Sequence, residues 1–185
     1  MKKILLSLGA FVFLFSTAWS QDPMFEKEDK VLNLGIGLGS TLYSGSFYSS
    51  QIPPISASFE VGVVDEILEE GVIGVGGYIA YASYKWEYTD WGYKYTDFIL
   101  GARGTFHYPF IDDLDTYTGL VLGYEIVSSK EIGNINPFYD YSASSGGLVT
   151  SWFIGGRYYF SDNFAVLAEL GYGITYLNLG VALKL

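Results

Sequence analysis

The sequence predicts an all-β fold: an eight-stranded antiparallel transmembrane β-barrel with a narrow, side-chain-filled interior. Three observations carry the prediction. Apolar and polar residues alternate with period two along eight segments, which is the strand period. The 185 residues include 17 Tyr, 13 Phe and 23 Gly, a composition that favours strands over long helices. No segment after residue 21 offers the run of uncharged apolar residues that a spanning helix needs, so a membrane form of this chain must be a closed barrel.

The first residues read as a leader rather than as part of the fold. Lys2 and Lys3 precede an apolar run from Ile4 to Phe15. Ala18 and Ser20 supply the small residues of a cleavage site, which makes Gln21 the first mature residue. The run is too short to anchor the chain as a helix. No cysteine stands near the site, which excludes lipid attachment there. The expected organisation is a signal peptide over 1–20, a short periplasmic segment over 21–30, and a barrel over 31–185.

The strands follow in order. The first covers about 31–43, with Leu32, Leu34, Ile36 and Leu38 on one face and Asn33, Gly35 and Gly37 on the other. After a polar, glycine-containing stretch over 44–54, the second covers about 55–64. There Ile55, Ala57, Phe59 and Val61 oppose Ser56, Ser58, Glu60 and Gly62. The third, about 71–86, is apolar on both faces; Ile73, Val75, Ile79 and Tyr81 are assigned outward, and Gly74, Gly76, Tyr78 and Ala80 inward. The fourth, about 94–108, sets Phe98, Leu100, Ala102 and Phe106 against Asp97, Gly101, Arg103 and His107.

An acidic, proline-broken turn over 109–115 leads to the fifth strand, about 116–128, where Leu120, Leu122 and Tyr124 oppose Tyr117, Gly123 and Glu125. The longest irregular stretch, 129–145, comes next. The sixth strand, about 147–160, sets Trp152, Ile154 and Tyr158 against Ser151, Gly155 and Arg157. A tight Ser161-Asp162-Asn163 turn leads to the seventh, 164–172, with Val166, Ala168 and Leu170 opposite Glu169 and Gly171. The eighth, about 177–185, has Leu177, Leu179, Val181 and Leu183 opposite Asn178, Gly180, Ala182 and Lys184. Connectors after odd strands are mostly the longer ones, which places both termini on the periplasmic side.

The mid-strand charges share one parity. Glu60, Arg103, Glu125, Arg157, Glu169 and Lys184 all lie opposite an apolar face. In a soluble β-sandwich that face would be the core and the charges would face water. In a barrel it meets lipid and the charges meet one another inside, and periodicity alone does not separate the two. Neighbouring strands suggest Arg103 with Glu125, Arg157 with Glu125 or Glu169, and Lys184 beside the seventh and first strands. Aromatic residues near strand ends, namely Tyr108, Phe110, Tyr158, Tyr159, Phe160 and Phe164, suit an interfacial girdle.

The last stretch, Asn178-Leu-Gly-Val-Ala-Leu-Lys-Leu185, resembles the terminal signal read by the barrel assembly machinery. Asn178, Gly180, Leu183 and Leu185 fill its positions, with Leu185 in place of the usual final aromatic. Together with Ala168-Glu-Leu-Gly-Tyr-Gly-Ile-Thr-Tyr-Leu-Asn-Leu-Gly180, it makes residues 31–185 resemble the small outer-membrane barrels of the outer-membrane protein X and outer-membrane protein A transmembrane type, especially Bacteroidetes versions. The resemblance implies an outer-membrane location and contact with outer-membrane lipid and lipopolysaccharide. It implies engagement of the assembly machinery during biogenesis and, in some members, membership of a larger envelope complex.

Chemistry is sparse. With Lys2 and Lys3 removed, 20 acidic residues face 8 basic ones, which argues against nucleic acid as a partner. Without cysteine there is neither disulfide nor thiolate metal site. His107 is the single histidine; Tyr108 and Pro109 follow it, so the His-x-Ser pair of a barrel deacylase is missing. The outer acids Asp90, Asp97 and Asp140 have no histidine nearby. Asp112, Asp113 and Asp115 lack the spacing of a calcium loop, and Gly74-Val-Gly-Gly77 lacks the lysine of a phosphate loop. No cofactor is called for. The expected role is a non-enzymatic structural, binding or accessory barrel, with a narrow pore and a lipid-modifying enzyme as the alternatives.

Overall fold

A computed structural model describes residues 24–43, 47–88, 91–111, 113–133 and 142–185. The proposed leader and Asp90, Asp112 and Asp140 lie outside the described residues. Eight strands run in chain order: β1 (Lys30–Ser40), β2 (Tyr48–Ile67), β3 (Gly71–Tyr88), β4 (Trp91–Ile111), β5 (Leu114–Ile132), β6 (Ser142–Ser161), β7 (Phe164–Tyr172) and β8 (Thr175–Lys184). Each pairs antiparallel with the next, and β1 pairs with β8, so the sheet closes on itself. Closure leaves no free edge where all eight strands overlap.

Strand lengths are uneven. β2 to β6 have 20, 18, 21, 19 and 20 residues, whereas β1, β7 and β8 have 11, 9 and 10. The long strands rise past the short ones at the end opposite the termini. This differs from the sequence-based boundaries, which end the strands where alternation fades. β2 starts at Tyr48 and passes through Pro53 and Pro54. The prolines fit because β1–β2 pairing stops at Ile36↔Ile55, so this part of β2 has no β1 neighbour to serve. β6 starts at Ser142 for a similar reason: its polar first half pairs with β5 but not with β7. With no β7 neighbour and few apolar side chains to bury, period two fades there while the β5–β6 ladder continues.

The β7–β8 connection is tight. Gly173 has φ +120°, and a Cβ there would sit 2.0 Å from the carbonyl oxygen of Thr150 on β6. Only glycine combines that dihedral with so close an approach. At the other end, Leu68 and Glu69 turn β2 into β3 with positive φ.

Burial follows the expected parity. The inner face holds two apolar layers. Tyr78, Ile99, Tyr117, Val121 and Phe153 belong to one, toward the end opposite the termini, and Phe25, Val31, Val72, Tyr159 and Leu167 to the other. Leu34, Ile36, Leu100, Leu122, Ile154 and Leu170 point outward and are exposed. Tyr159 corrects the girdle assignment: it shares the inward parity of Arg157 and is only 3% exposed. The rest of that group stays outward or at the rim.

Candidate functional site

Between the apolar layers lies a cluster of buried charge. Each member is delivered by a strand whose alternate residues are apolar, so the same alternation that exposes leucine buries an ionisable group. Arg157 of β6 is wholly buried. Its Nε donates to Asp115 Oδ2 at 2.8 Å, Nη1 donates to Asn33 Oδ1 at 3.3 Å, and Nη2 lies 3.5 Å from Glu60 Oε2. Arg103 of β4 donates from Nη2 to Glu169 Oε1 at 2.6 Å, and its Nε lies 3.9 Å from Glu60 Oε2. Tyr117 and Asn178 also donate to Glu169, at 2.8 and 2.9 Å.

His107 sits between two carboxylates, with Nδ1 2.7 Å from Asp115 Oδ1 and Nε2 2.6 Å from Glu60 Oε1. A charged ring donates from both nitrogens. Three carboxylates, two guanidiniums and one imidazolium then sum to neutrality, the condition under which buried charge persists. Aromatic faces complete the enclosure. The Arg103 guanidinium lies 4.1 Å from the Phe153 ring centroid and that of Arg157 lies 4.9 Å from Tyr117. Phe25 stacks on His107 at 4.1 Å.

Thr105 Oγ1 lies 2.9 Å from His107 Nε2, so a hydroxyl, an imidazole and the carboxylate of Asp115 stand in the order of a hydrolase triad. The chemistry is blocked by the surroundings. The Thr105 hydroxyl donates to Glu60, and Thr105, His107 and Asp115 are all buried. A cavity lined by His107 and Asp115 measures about 10 Å³ and one lined by Arg103 and Glu169 about 20 Å³, enough for roughly one water each. No acyl group could reach the hydroxyl. Among the described residues, no group of three or more acidic or histidine side chains is placed to hold a metal ion.

The sequence-selected residues divide. Glu60, Arg103, Arg157 and Glu169 meet in the cluster. Glu125 does not: Ile99 faces it across the β4–β5 ladder and Val121 faces Arg103, which corrects the proposed Arg103–Glu125 pair. Glu125 sits nearer the end opposite the termini, close to Asp97. There the Tyr43 hydroxyl donates to Asp97 Oδ1 at 2.8 Å, and burial and that carboxylate push the Tyr43 phenol up. Nor does Arg157 reach Glu125 or Glu169; its carboxylates are Asp115 and Glu60. Lys184 pairs with Asp29 of the N-terminal segment at 2.6 Å rather than with a neighbouring strand.

That segment is the largest addition to the sequence reading. Residues 24–29 pack into the end of the barrel instead of trailing from it. Phe25 is 2% exposed, Glu28 N donates to Gly62 O, and Lys184 Nζ donates to Met24 O. Of the four residues matched to an assembly signal, Asn178 faces the lumen, Gly180 lies where a Cβ would sit 1.9 Å from Leu34 O, and Leu183 and Leu185 are exposed.

No protein-family model matches the chain, and no curated protein matches it. Solved structures do. The N-terminal β-barrel domain of Pseudomonas aeruginosa OprF is similar at 14% identity and a TM-score of 0.49, over 86% of this chain and 98% of that one. Ail, the attachment invasion locus protein of Yersinia pestis, is similar at 12% identity and a TM-score of 0.47, over 84% and 93%. Ail in a phospholipid bilayer nanodisc is similar at 13% identity and a TM-score of 0.47, over 86% and 100%.

Proposed function

We propose that this chain is a non-enzymatic barrel of the bacterial outer membrane that serves a structural, adhesive or binding role in the cell envelope, with both termini periplasmic. One observation carries the reading: the molecule is inside out. Its charged cluster is buried, while a continuous belt of large apolar side chains is exposed, including Leu120 at 65% and Leu170 at 58%. Water would penalise a belt of that size on a monomer; lipid would not.

The belt has bilayer dimensions. From Phe98 to Tyr108 β4 rises roughly 33 Å, or about 25 Å along an axis to which strands tilt by ~40°. Phe110, Tyr158 and Phe160 stand toward one margin and Tyr124, Trp152 and Tyr172 toward the other. No helix among the described residues is long and apolar enough to cross a membrane, so strands would do the crossing. Outer-membrane lipid and lipopolysaccharide would surround the belt. The barrel assembly machinery would read Asn178, Gly180, Leu183 and Leu185, after a signal peptide over 1–20 has directed export.

Fractionation tests the location. The chain is expected with outer membranes, migrating faster in detergent gels before boiling than after. Recovery as a soluble periplasmic monomer would overturn the proposal. The lumen gives the pore reading no support, because Arg157, Phe25, Arg103 and Phe153 block its axis in successive layers.

A further inference from the structure

The outward face of β3, β4 and β5 changes chemistry in registered steps. Tyr81, Phe98 and Ile126 face one another across the two ladders and form the upper margin of the apolar belt. One pleat further out, Ser83, Thr96 and Ser128 form a second registered row. One pleat beyond that, Lys85 pairs with Lys94 and Lys94 with Lys130. Apolar, hydroxyl and ammonium groups thus succeed one another along all three strands.

The lysine row is conspicuous in so acidic a chain. Beyond Lys2 and Lys3, the basic residues number eight. Arg103 and Arg157 are buried in the lumen, and Lys27, Lys30 and Lys184 lie at the end that carries the termini. Lys85, Lys94 and Lys130 are the remaining three, and one registered row holds them all. Like charges directly opposite across strands repel. Glu87 lies 2.8 Å from Lys85; the pair is partly exposed, at 30% and 46%, and a solvent-accessible pair contributes little.

We propose that Lys85, Lys94 and Lys130 bind the phosphate groups of an outer-leaflet lipid, with the hydroxyls of Thr96 and Ser128 beneath them as further donors; the Ser83 hydroxyl is buried and donates to Tyr95 O. The proposal rests on the membrane reading above. Two pleats past the belt margin is about 10 Å along the tilted axis, which is headgroup depth. The row also climbs about 6 Å across its two strand spacings, so its ammonium groups are spread over the thickness of a headgroup layer. Long lysine stems can lie along the belt while their ends reach phosphate. A lipid carrying two phosphates on one headgroup matches a row of cations better than a singly charged one does.

The test uses the mature chain refolded into vesicles of phosphatidylcholine, alone or doped with a bis-phosphorylated glycolipid or its dephosphorylated form. Lipid retained on the protein is read by native mass spectrometry. Preferential retention of the phosphorylated form is expected, weakening about fivefold for each lysine replaced and about a hundredfold in Lys85→Gln/Lys94→Gln/Lys130→Gln. A Lys27→Gln/Lys30→Gln variant should retain it like the parent. Equal retention of phosphorylated and dephosphorylated lipid by an inserted barrel would overturn this proposal alone. So would undiminished retention by the triple variant, or complete competition by millimolar inorganic phosphate, which would make the row a free-anion site. Failure of the parent chain to insert into any vesicle would overturn the membrane reading itself.

Discussion

Arg157 and Asp115 face each other directly across the β5–β6 ladder, and the guanidinium Nε donates to the carboxylate at 2.8 Å. The same carboxylate holds His107 through its other oxygen. Asp115 therefore links a neighbouring strand to the centre of the lumen, although it sits only one residue into β5.

Replacing Arg157 with alanine is expected to leave Asp115 and Glu60 short of a cation, at a cost of roughly 3–5 kcal/mol. The readout is the urea midpoint of the refolded barrel in detergent. Insertion should persist, because the apolar belt is unchanged.

A paired replacement separates desolvation from attraction. Arg103→Met alone leaves Glu169 a buried carboxylate without its guanidinium. Arg103→Met with Glu169→Gln removes both charges and keeps an acceptor for Tyr117. The double variant is expected to be the more stable of the two, because breaking a buried pair costs more than replacing it. Equal midpoints would show that the pair is not electrostatically coupled.

Phe25→Ala should cost about 3 kcal/mol, since a fully buried ring is lost from between His107 and Arg157. Planar-bilayer recordings of this variant should stay silent, because the layer of Arg103, Tyr117 and Phe153 remains closed. Stable conductance in either the parent or this variant would restore the pore reading.

Gly180→Val should block ring closure, since the added Cβ meets the backbone oxygen of Leu34 at 1.9 Å and that atom belongs to the β1–β8 ladder. Loss of the fast-migrating unboiled form is the expected result. By contrast, Leu179→Ala on the outer face should cost about 1 kcal/mol or less, because lipid fills the space.

A comparison of lipid extracts by mass, between a deletion strain and its parent, should show no change in acylation. An altered species would revive the enzyme reading and direct attention to Thr105 and His107.

Parity was legible in the sequence because it is local. Glu60, Arg103, Arg157 and Glu169 each reveal their face within a few residues of their own strand. The choice of partner was not legible, because it depends on the whole circuit. In a narrow lumen Arg103 on β4 reaches Glu169 on β7, and Arg157 on β6 reaches Glu60 on β2. Adjacency in strand order would have excluded both. The pairing of Glu125 with Arg103 or Arg157 fails for the related reason that parity fixes a face but not a height. Asp115 and Phe25 were missed because each lies in a stretch whose acidity reads as solvated turn or tether. Tyr159 could have been placed from Arg157 two residues earlier, by extending the inward parity.

The contacts across the lumen also have a mechanical meaning. The hydrogen-bonded sheet sets the perimeter of the tube but leaves its outline free to flatten, since bending a sheet breaks no ladder. The ties from β2 to β6 and from β4 to β7 run between non-adjacent staves and work as spokes. Flattening along either line would compress one tie and stretch the other. A closed sheet, crowded from the side by its surroundings, is thereby held round by Glu60 and Glu169 and their guanidinium partners.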